Sequence, residues 1–157
     1  MSLAVLRSDL VDDSSLQGSA FCLALTDQAD SWLIDVYQQH VGDAPGVALA
    51  AVGGYGRQEL CPHSDLDVLL VHDRPEAEIS EIASKLWYPI WDEGVKLGHS
   101  VRTIDEAIEL AKSDLDTATS LLHLRWLVGD EALVDKLAQA AEKAWHRNAK
   151  QWLPRLE

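Results

Sequence analysis

The sequence predicts an α+β fold in which a small mixed sheet is flanked by several helices. Short apolar runs at residues 47–52, 65–72 and 98–103, bounded by glycine or polar residues, are typical of strands. Longer segments before and after them repeat apolar residues at helical spacing. The resulting order is helix, strand, strand, helix, strand and then helices, which is the order of an α+β domain.

Five longer helices are predicted from this spacing, from capping residues and from glycine or proline stops. Their predicted limits are residues 14 or 15 to 41, 75 to 97, 103 or 105 to 112, 113 or 114 to 128, and 131 to 152. Ser14 or Ser15 is the expected cap of the first helix, and Pro89 is expected to bend the second. All six tryptophans fall within these helices, which favours a role in the core.

The composition is that of a globular domain, with 157 residues of which 47% are apolar and 25% are charged. No apolar run approaches the roughly 18 residues of a membrane-spanning helix. The N-terminus lacks the basic and apolar segments of a signal peptide. Cys22 and Cys61 are the two cysteines, and we expect them to be reduced thiols in a cytoplasmic protein.

The net charge of −13 excludes one class of substrate. Binding a nucleic-acid backbone needs a basic face, whereas this chain has 13 Lys and Arg against 26 Asp and Glu. A nucleic-acid substrate is therefore not expected. A small anionic ligand is compatible with this charge, because local donors and a metal ion can outweigh it.

Residues 51–73, AVGGYGRQELCPHSDLDVLLVHD, combine a glycine pair with two carboxylates. Asp65 and Asp67 lie two positions apart on a predicted strand, so both point to the same face. They repel one another unless a cation lies between them, and an all-oxygen site suits Mg²⁺. The glycine pair joins a strand to a short helix, where bare backbone N–H groups can hold a phosphate, and Arg57 adds a guanidinium. Together these features predict nucleotidyl or phosphoryl transfer from a metal-bound triphosphate.

Each feature alone also has a structural explanation. An Asp-x-Asp pair occurs at solvated strand starts, a glycine pair occurs in ordinary turns, and Arg57 could pair with Glu59 or Asp65 instead. The joint order favours the functional interpretation. The chain has neither the G-x-x-x-x-G-K-[ST] of a P-loop nor the G-x-G-x-x-G of a dinucleotide fold.

This order resembles the nucleotidyltransferase core of the DNA polymerase β superfamily. More narrowly, VGGYGRQEL, PHSDLDVLL, WDEGVKLGHSVRT and SDLDTATSLL followed by LVGD resemble, over about residues 47–130, the N-terminal nucleotidyltransferase domain of the bifunctional PII uridylyltransferase/uridylyl-removing family. The resemblance implies Mg²⁺-dependent transfer of UMP or AMP, from UTP or ATP, to a tyrosine of the nitrogen-signalling protein PII. Two alternatives stay open: a nucleotidyltransferase acting on another small substrate, and a degenerate nucleotide-binding module without turnover.

The resemblance also implies roles for individual residues. The corresponding positions are Gly53 and Gly54 for the phosphate-holding pair, Asp65 and Asp67 for the catalytic metal ligands, and Arg57, Ser64 and Arg102 for further nucleotide contacts. Gln58 stands where the family usually has glycine, and we expect it on a helix surface. The superfamily normally adds a third acidic residue on a later strand, and strand 98–103 has none. Either this family works with two acidic residues, or the third comes from elsewhere, with Asp92, Glu93 and Asp105 as candidates. His99 is an alternative candidate for the base.

We interpret residues 1–157 as a single nucleotidyltransferase domain, with the core motif at 47–103 and helical flanks at 14–41 and 104–152. The family enzymes that it resembles continue into hydrolase and sensor domains. We therefore interpret this chain as an excised N-terminal piece of a longer protein, and expect it to be weakly active alone.

Overall fold

The structure is a computed structural model that describes residues 17–155 together with Leu10. Its strands are β1 (Val47–Ala51), β2 (Leu66–His72), β3 (Leu97–Arg102) and β4 (Arg125–Gly129). Its helices are α1 (Ser19–His40), α2 (Gly53–Gly56), α3 (Glu76–Asp92), α4 (Ile104–Ala111), α5 (Leu115–Leu121) and α6 (Glu131–Trp152). A 3₁₀ turn at Leu153–Arg155 follows α6.

The four strands form one mixed sheet in the order β3-β2-β1-β4. Strand β1 is antiparallel to both β2 and β4, whereas β2 and β3 are parallel. The predicted α+β fold with a small mixed sheet is therefore confirmed. All five residues of β1 are buried, because helices cover both faces of the sheet.

Two hydrophobic clusters lie on opposite faces of this sheet. Helices α1 and α3 cover one face with residues such as Leu33 and Trp87. Helices α4, α5 and α6 cover the other face with residues such as Leu137 and Trp152. Since successive residues of a strand point to opposite faces, Leu70 belongs to the first cluster and its neighbours in β2 to the second.

Helix ends follow local sequence signals where those signals are strong. Thr103 caps α4 in a capping box, with its hydroxyl accepting from the Glu106 N–H at 3.2 Å and the Glu106 carboxylate accepting from the Thr103 N–H at 2.8 Å. Asp114 caps α5 by accepting from the Thr117 N–H at 2.9 Å. Helix α3 includes Pro89 but ends at Asp92, five residues before the predicted limit, because Gly94 adopts a left-handed φ of 69°.

The fourth strand was not predicted, and the sequence interpretation of residues 113–128 as one helix is wrong. Helix α5 stops at Leu121, and β4 pairs with β1. Trp126 consequently lies on an edge strand with 41% of its surface exposed, so the expectation that every tryptophan lies in a helix is also wrong. The run RWLVG is too short for periodicity to separate strand from helix.

The first helix begins at Ser19, and its expected caps, Ser14 and Ser15, lie outside the described residues. Within residues 17–155, no helix combines the length and the apolar character needed to cross a bilayer.

Candidate active site

The glycine turn is built directly onto the end of β1. Gly53 has a φ of 58°, a left-handed conformation that glycine adopts without steric cost. The N–H of Val52 donates to the carbonyl of Asp67 at 3.0 Å, which joins the start of the turn to the start of β2. The glycine pair and the carboxylate pair, separated by a loop in the sequence, are therefore neighbours in space.

A polar network fixes this turn from behind. The Tyr55 side chain is buried, and its hydroxyl donates to Asp30 Oδ1 at 2.6 Å. Arg125 on β4 donates to Asp30 Oδ2 at 2.6 Å and to the Tyr55 carbonyl at 3.2 Å, with a further contact to the Gly56 carbonyl at 3.3 Å. Helix α1, the turn and β4 are thereby held together.

Asp67 is the second residue of β2, and Asp65 immediately precedes the strand, one residue outside it and not within it as the sequence analysis predicted. Asp67 pairs in register with Gly98 of β3, and a Cβ atom added at Gly98 would lie 2.1 Å from Asp67 Oδ1. The missing side chain of Gly98 therefore makes room for the carboxylate. Burial raises the pKa of Asp67, and the nearby charge of Asp65 raises it further.

Asp67 opens into a cavity of about 320 Å³ between the sheet and helices α4 and α5. Its lining is contributed by Val52, Asp67, Val68, Leu69, Gly98, His99, Ser100, Arg102, Ala107, Leu110, Asp116, Thr117, Ser120 and Leu121. Arg102 lies four residues along β3 from Gly98, a rise of about 13 Å. The cavity lining thus includes Asp67, beside Gly98 near the start of β3, and Arg102 at the end of that strand.

The remaining predicted residues surround the turn outside the cavity lining. The Arg57 guanidinium pairs with Glu59, at 2.7 Å between Nε and Oε2, and its Nη2 would lie 3.8 Å from a Cβ atom added at Gly54. The Ser64 hydroxyl accepts from the Cys61 N–H at 2.8 Å and donates to the Cys61 carbonyl at 2.9 Å, which closes the loop before β2.

The candidates for a third acidic residue lie away from the cavity. Asp92 and Glu93 are at the end of α3, and Asp105 is in the first turn of α4. His99 does line the cavity, but its ring also packs against Trp87 and Trp91, with centroid distances of 5.1 and 5.3 Å.

Sequence reasoning missed the polar residues that α5 contributes to the cavity, namely Asp116, Thr117 and Ser120. The one sequence signal for them was the resemblance of the segment SDLDTATSLL, which named no role for these residues.

Within the described residues, no group of three or more His, Cys, Asp and Glu side chains is arranged to hold a metal ion. Asp65 and Asp67 offer two neighbouring carboxylates whose donor atoms are all oxygen.

Gln58 differs from its expected setting. It does not lie on a helix surface, because α2 ends at Gly56 and Gln58 follows in a turn with a φ of 61°. A left-handed residue at this position explains why glycine suits it better.

Comparison with known proteins gives a consistent result. A family model described as a nucleotidyltransferase domain matches residues 31–126. The bifunctional uridylyltransferase/uridylyl-removing enzyme of Mycobacterium tuberculosis (strain CDC 1551 / Oshkosh) is 43% identical over 147 residues, which cover 91% of this chain and 18% of that enzyme. The enzyme of the same description from Streptomyces coelicolor is 40% identical, with coverage of 98% and 18%. The chain thus spans less than a fifth of the length of these relatives.

Among solved structures, the toxin–antitoxin MntA-HpeT complex in a mutant form is 11% identical, with a TM-score of 0.47. The match covers 81% of this chain and 94% of that chain.

Proposed function

Because this chain belongs to the nucleotidyltransferase domain family, we propose that it transfers UMP or AMP from UTP or ATP to a tyrosine of the PII protein. The observation that carries the proposal is that the Gly53 turn lies beside the Asp67 carboxylate, which lines a cavity that Arg102 also lines. The names of the relatives favour uridylyl transfer within this family. The acceptor PII follows from the family resemblance.

We propose Asp65 and Asp67 as the ligands of a Mg²⁺ ion. The donor set fits, because both groups offer only oxygen. Burial, and after it the neighbouring charge of Asp65, raises the pKa of Asp67, and a cation between the two carboxylates would offset their repulsion. When bound, Mg²⁺ supplies charge neutralisation to the phosphates and leaves coordination positions for their oxygens.

The side chains and backbone of the cavity would position the triphosphate. The bare backbone at Gly53 permits close approach of a phosphate, and Arg102 offers a planar guanidinium for bidentate hydrogen bonds to phosphate oxygens. The apolar residues at the helical wall, such as Ala107 and Leu110, exclude water from one side of the cavity.

Cys22 and Cys61 are free thiols, in keeping with a proposed cytoplasmic location.

Label transfer tests the proposal. The chain is incubated with Mg²⁺, a PII protein and UTP or ATP labelled in the α-phosphate, alongside a PII variant with phenylalanine in place of the acceptor tyrosine. We expect label on PII only when the tyrosine is present, at a low rate, since misplacement of an acceptor is costly in rate. Asp67→Asn should abolish transfer, whereas Asp135→Asn, the same change at an exposed position on α6, should leave it intact.

Two outcomes would count against this function. Nucleotide binding without transfer to PII in any condition would favour the binding-module alternative. Transfer that survives in Asp67→Asn would show that the chemistry occurs elsewhere.

A further inference from the structure

Ser120 of α5 brings a hydroxyl group to the glycine turn. A Cβ atom added at Gly53 would lie 3.7 Å from Ser120 Oγ and 3.9 Å from Asp67 Oδ2. The hydroxyl and the carboxylate therefore lie on the same side of the turn, and both groups line the cavity. Since Gly53 has no side chain of its own, a side-chain donor at this point must come from another element.

The other hydroxyl groups of α5 are already engaged. Thr117 Oγ1 donates to the carboxylate of Asp114. Thr119 Oγ1 lies within hydrogen-bond distance of the carbonyls of Leu115, at 2.9 Å, and Asp116, at 3.1 Å. Ser120 Oγ, in contrast, makes no hydrogen bond to any of the described residues.

We propose that the Ser120 hydroxyl donates a hydrogen bond to a phosphate oxygen of the bound nucleotide, an inference that rests on the proposed function. A half-buried hydroxyl gains by finding an acceptor, and a charged phosphate oxygen is a stronger acceptor than a neutral one. Asp116, the acidic residue on the same helix wall, would repel a phosphate, so the neutral donor Ser120 is the better partner from α5. Ser120 is thus a phosphate-binding residue supplied by a helix outside the glycine and aspartate motif.

Calorimetric titration of the chain tests this assignment, with Mg²⁺ and either ATP, UTP or inorganic tripolyphosphate as probe. We expect Ser120→Ala to weaken all three by about tenfold, because the contact is to phosphate and not to base or sugar. Ser120→Thr retains the hydroxyl and should bind within about threefold of the unaltered chain. Ser113→Ala is the matched control and should change nothing, since Ser113 does not line the cavity and its hydroxyl is exposed, where it bonds to the Leu110 carbonyl.

Each outcome separates this inference from the function on which it rests. Unchanged affinities in Ser120→Ala would overturn the Ser120 assignment and leave the proposed function standing. Weaker nucleotide binding with tripolyphosphate binding retained would also overturn it, because the contact would then be to base or sugar. Absence of nucleotide binding by the unaltered chain would overturn the proposed function and this inference with it. If Ser120→Ala lowers the melting temperature, Ser120→Cys, which keeps the size and weakens the donor, takes its place.

Discussion

Replacement of Arg125 by alanine should destabilise the whole domain, although Arg125 lies on an edge strand. Its guanidinium joins Asp30 of α1 to the carbonyls of Tyr55 and Gly56 in the glycine turn. Alanine would leave the Asp30 carboxylate with the Tyr55 hydroxyl as its remaining partner, and two carbonyls would lose a donor. The variant would therefore lose the hydrogen bonds that hold α1, α2 and β4 together.

The expected cost follows from the burial of the pair. Removing one partner of a fully buried ion pair costs about 3–5 kcal/mol. The Arg125 and Asp30 side chains are 25% and 17% exposed, and the Tyr55 hydroxyl would still donate to Asp30 in the variant. We therefore expect a smaller loss of unfolding free energy, about 2–3 kcal/mol. In a domain of this size that loss lowers the melting temperature by about 5–10 °C.

Urea denaturation of the variant at neutral pH measures this loss. Lys85→Ala is the matched control, because it breaks an exposed ion pair with Glu81 and should cost less than about 0.5 kcal/mol. A double-mutant cycle with Asp30→Asn should show a coupling energy above about 1 kcal/mol. A loss in Arg125→Ala as small as that of Lys85→Ala would refute the structural role of the network.

Three further predictions concern the segment around the carboxylates. Asp67→Asn should raise the melting temperature at pH 7, because burial and then Asp65 raise the pKa of Asp67. A carboxyl group whose pKa is higher in the folded state stabilises the fold at low pH and loses that contribution as pH rises through the folded pKa. The higher melting temperature of the variant should therefore disappear below about pH 4, the usual pKa of an unfolded aspartate. A difference in melting temperature that does not change with pH would contradict this. Gly98→Ala should weaken Mg²⁺-dependent nucleotide binding sharply with little change in melting temperature, because the new methyl group would displace the Asp67 carboxylate. If calorimetry gives the variant the same nucleotide affinity as the unaltered chain, this carboxylate does not hold the metal. Gln58→Gly should stabilise the domain by up to about 1 kcal/mol in urea denaturation by relieving a left-handed residue, and a loss of stability would mean that the Gln58 side chain contributes more than its backbone costs.

The limits of sequence-based prediction are physical, and β4 illustrates them. Strands β1 and β2 were predicted because glycine and aspartate bound their apolar runs. A helix capped by Thr103 or Asp105 was predicted because a capping side chain is a local signal, and the structure shows that the cap is Thr103. The run at Arg125–Gly129 carries no such boundary. It becomes a strand because it pairs antiparallel with β1, an interaction that joins residues far apart in sequence.

The site divides in the same way. The proximity of Asp65 to Asp67 could be predicted, because two residues separated by one position at the start of a strand project to the same side. The position of Ser120 could not, because it depends on how closely α5 and the loop after it approach the glycine turn. A Cβ atom added at Gly56 would lie 1.8 Å from the His123 carbonyl oxygen, so this approach is possible only because residue 56 has no side chain.

Unfavourable local features are concentrated between residues 53 and 67. Gln58 has a left-handed backbone, and Asp67 has a raised pKa beside a second carboxylate. A segment selected for stability alone would avoid a left-handed glutamine and adjacent like charges, since each costs free energy. The Arg125 network on the other side of the turn offsets this cost through partly buried hydrogen bonds. Variants on the two sides should therefore have opposite effects, with stability gained at Gln58 or Asp67 and lost at Arg125. Such a pattern is the one expected where a backbone is held ready for a phosphate and a cation.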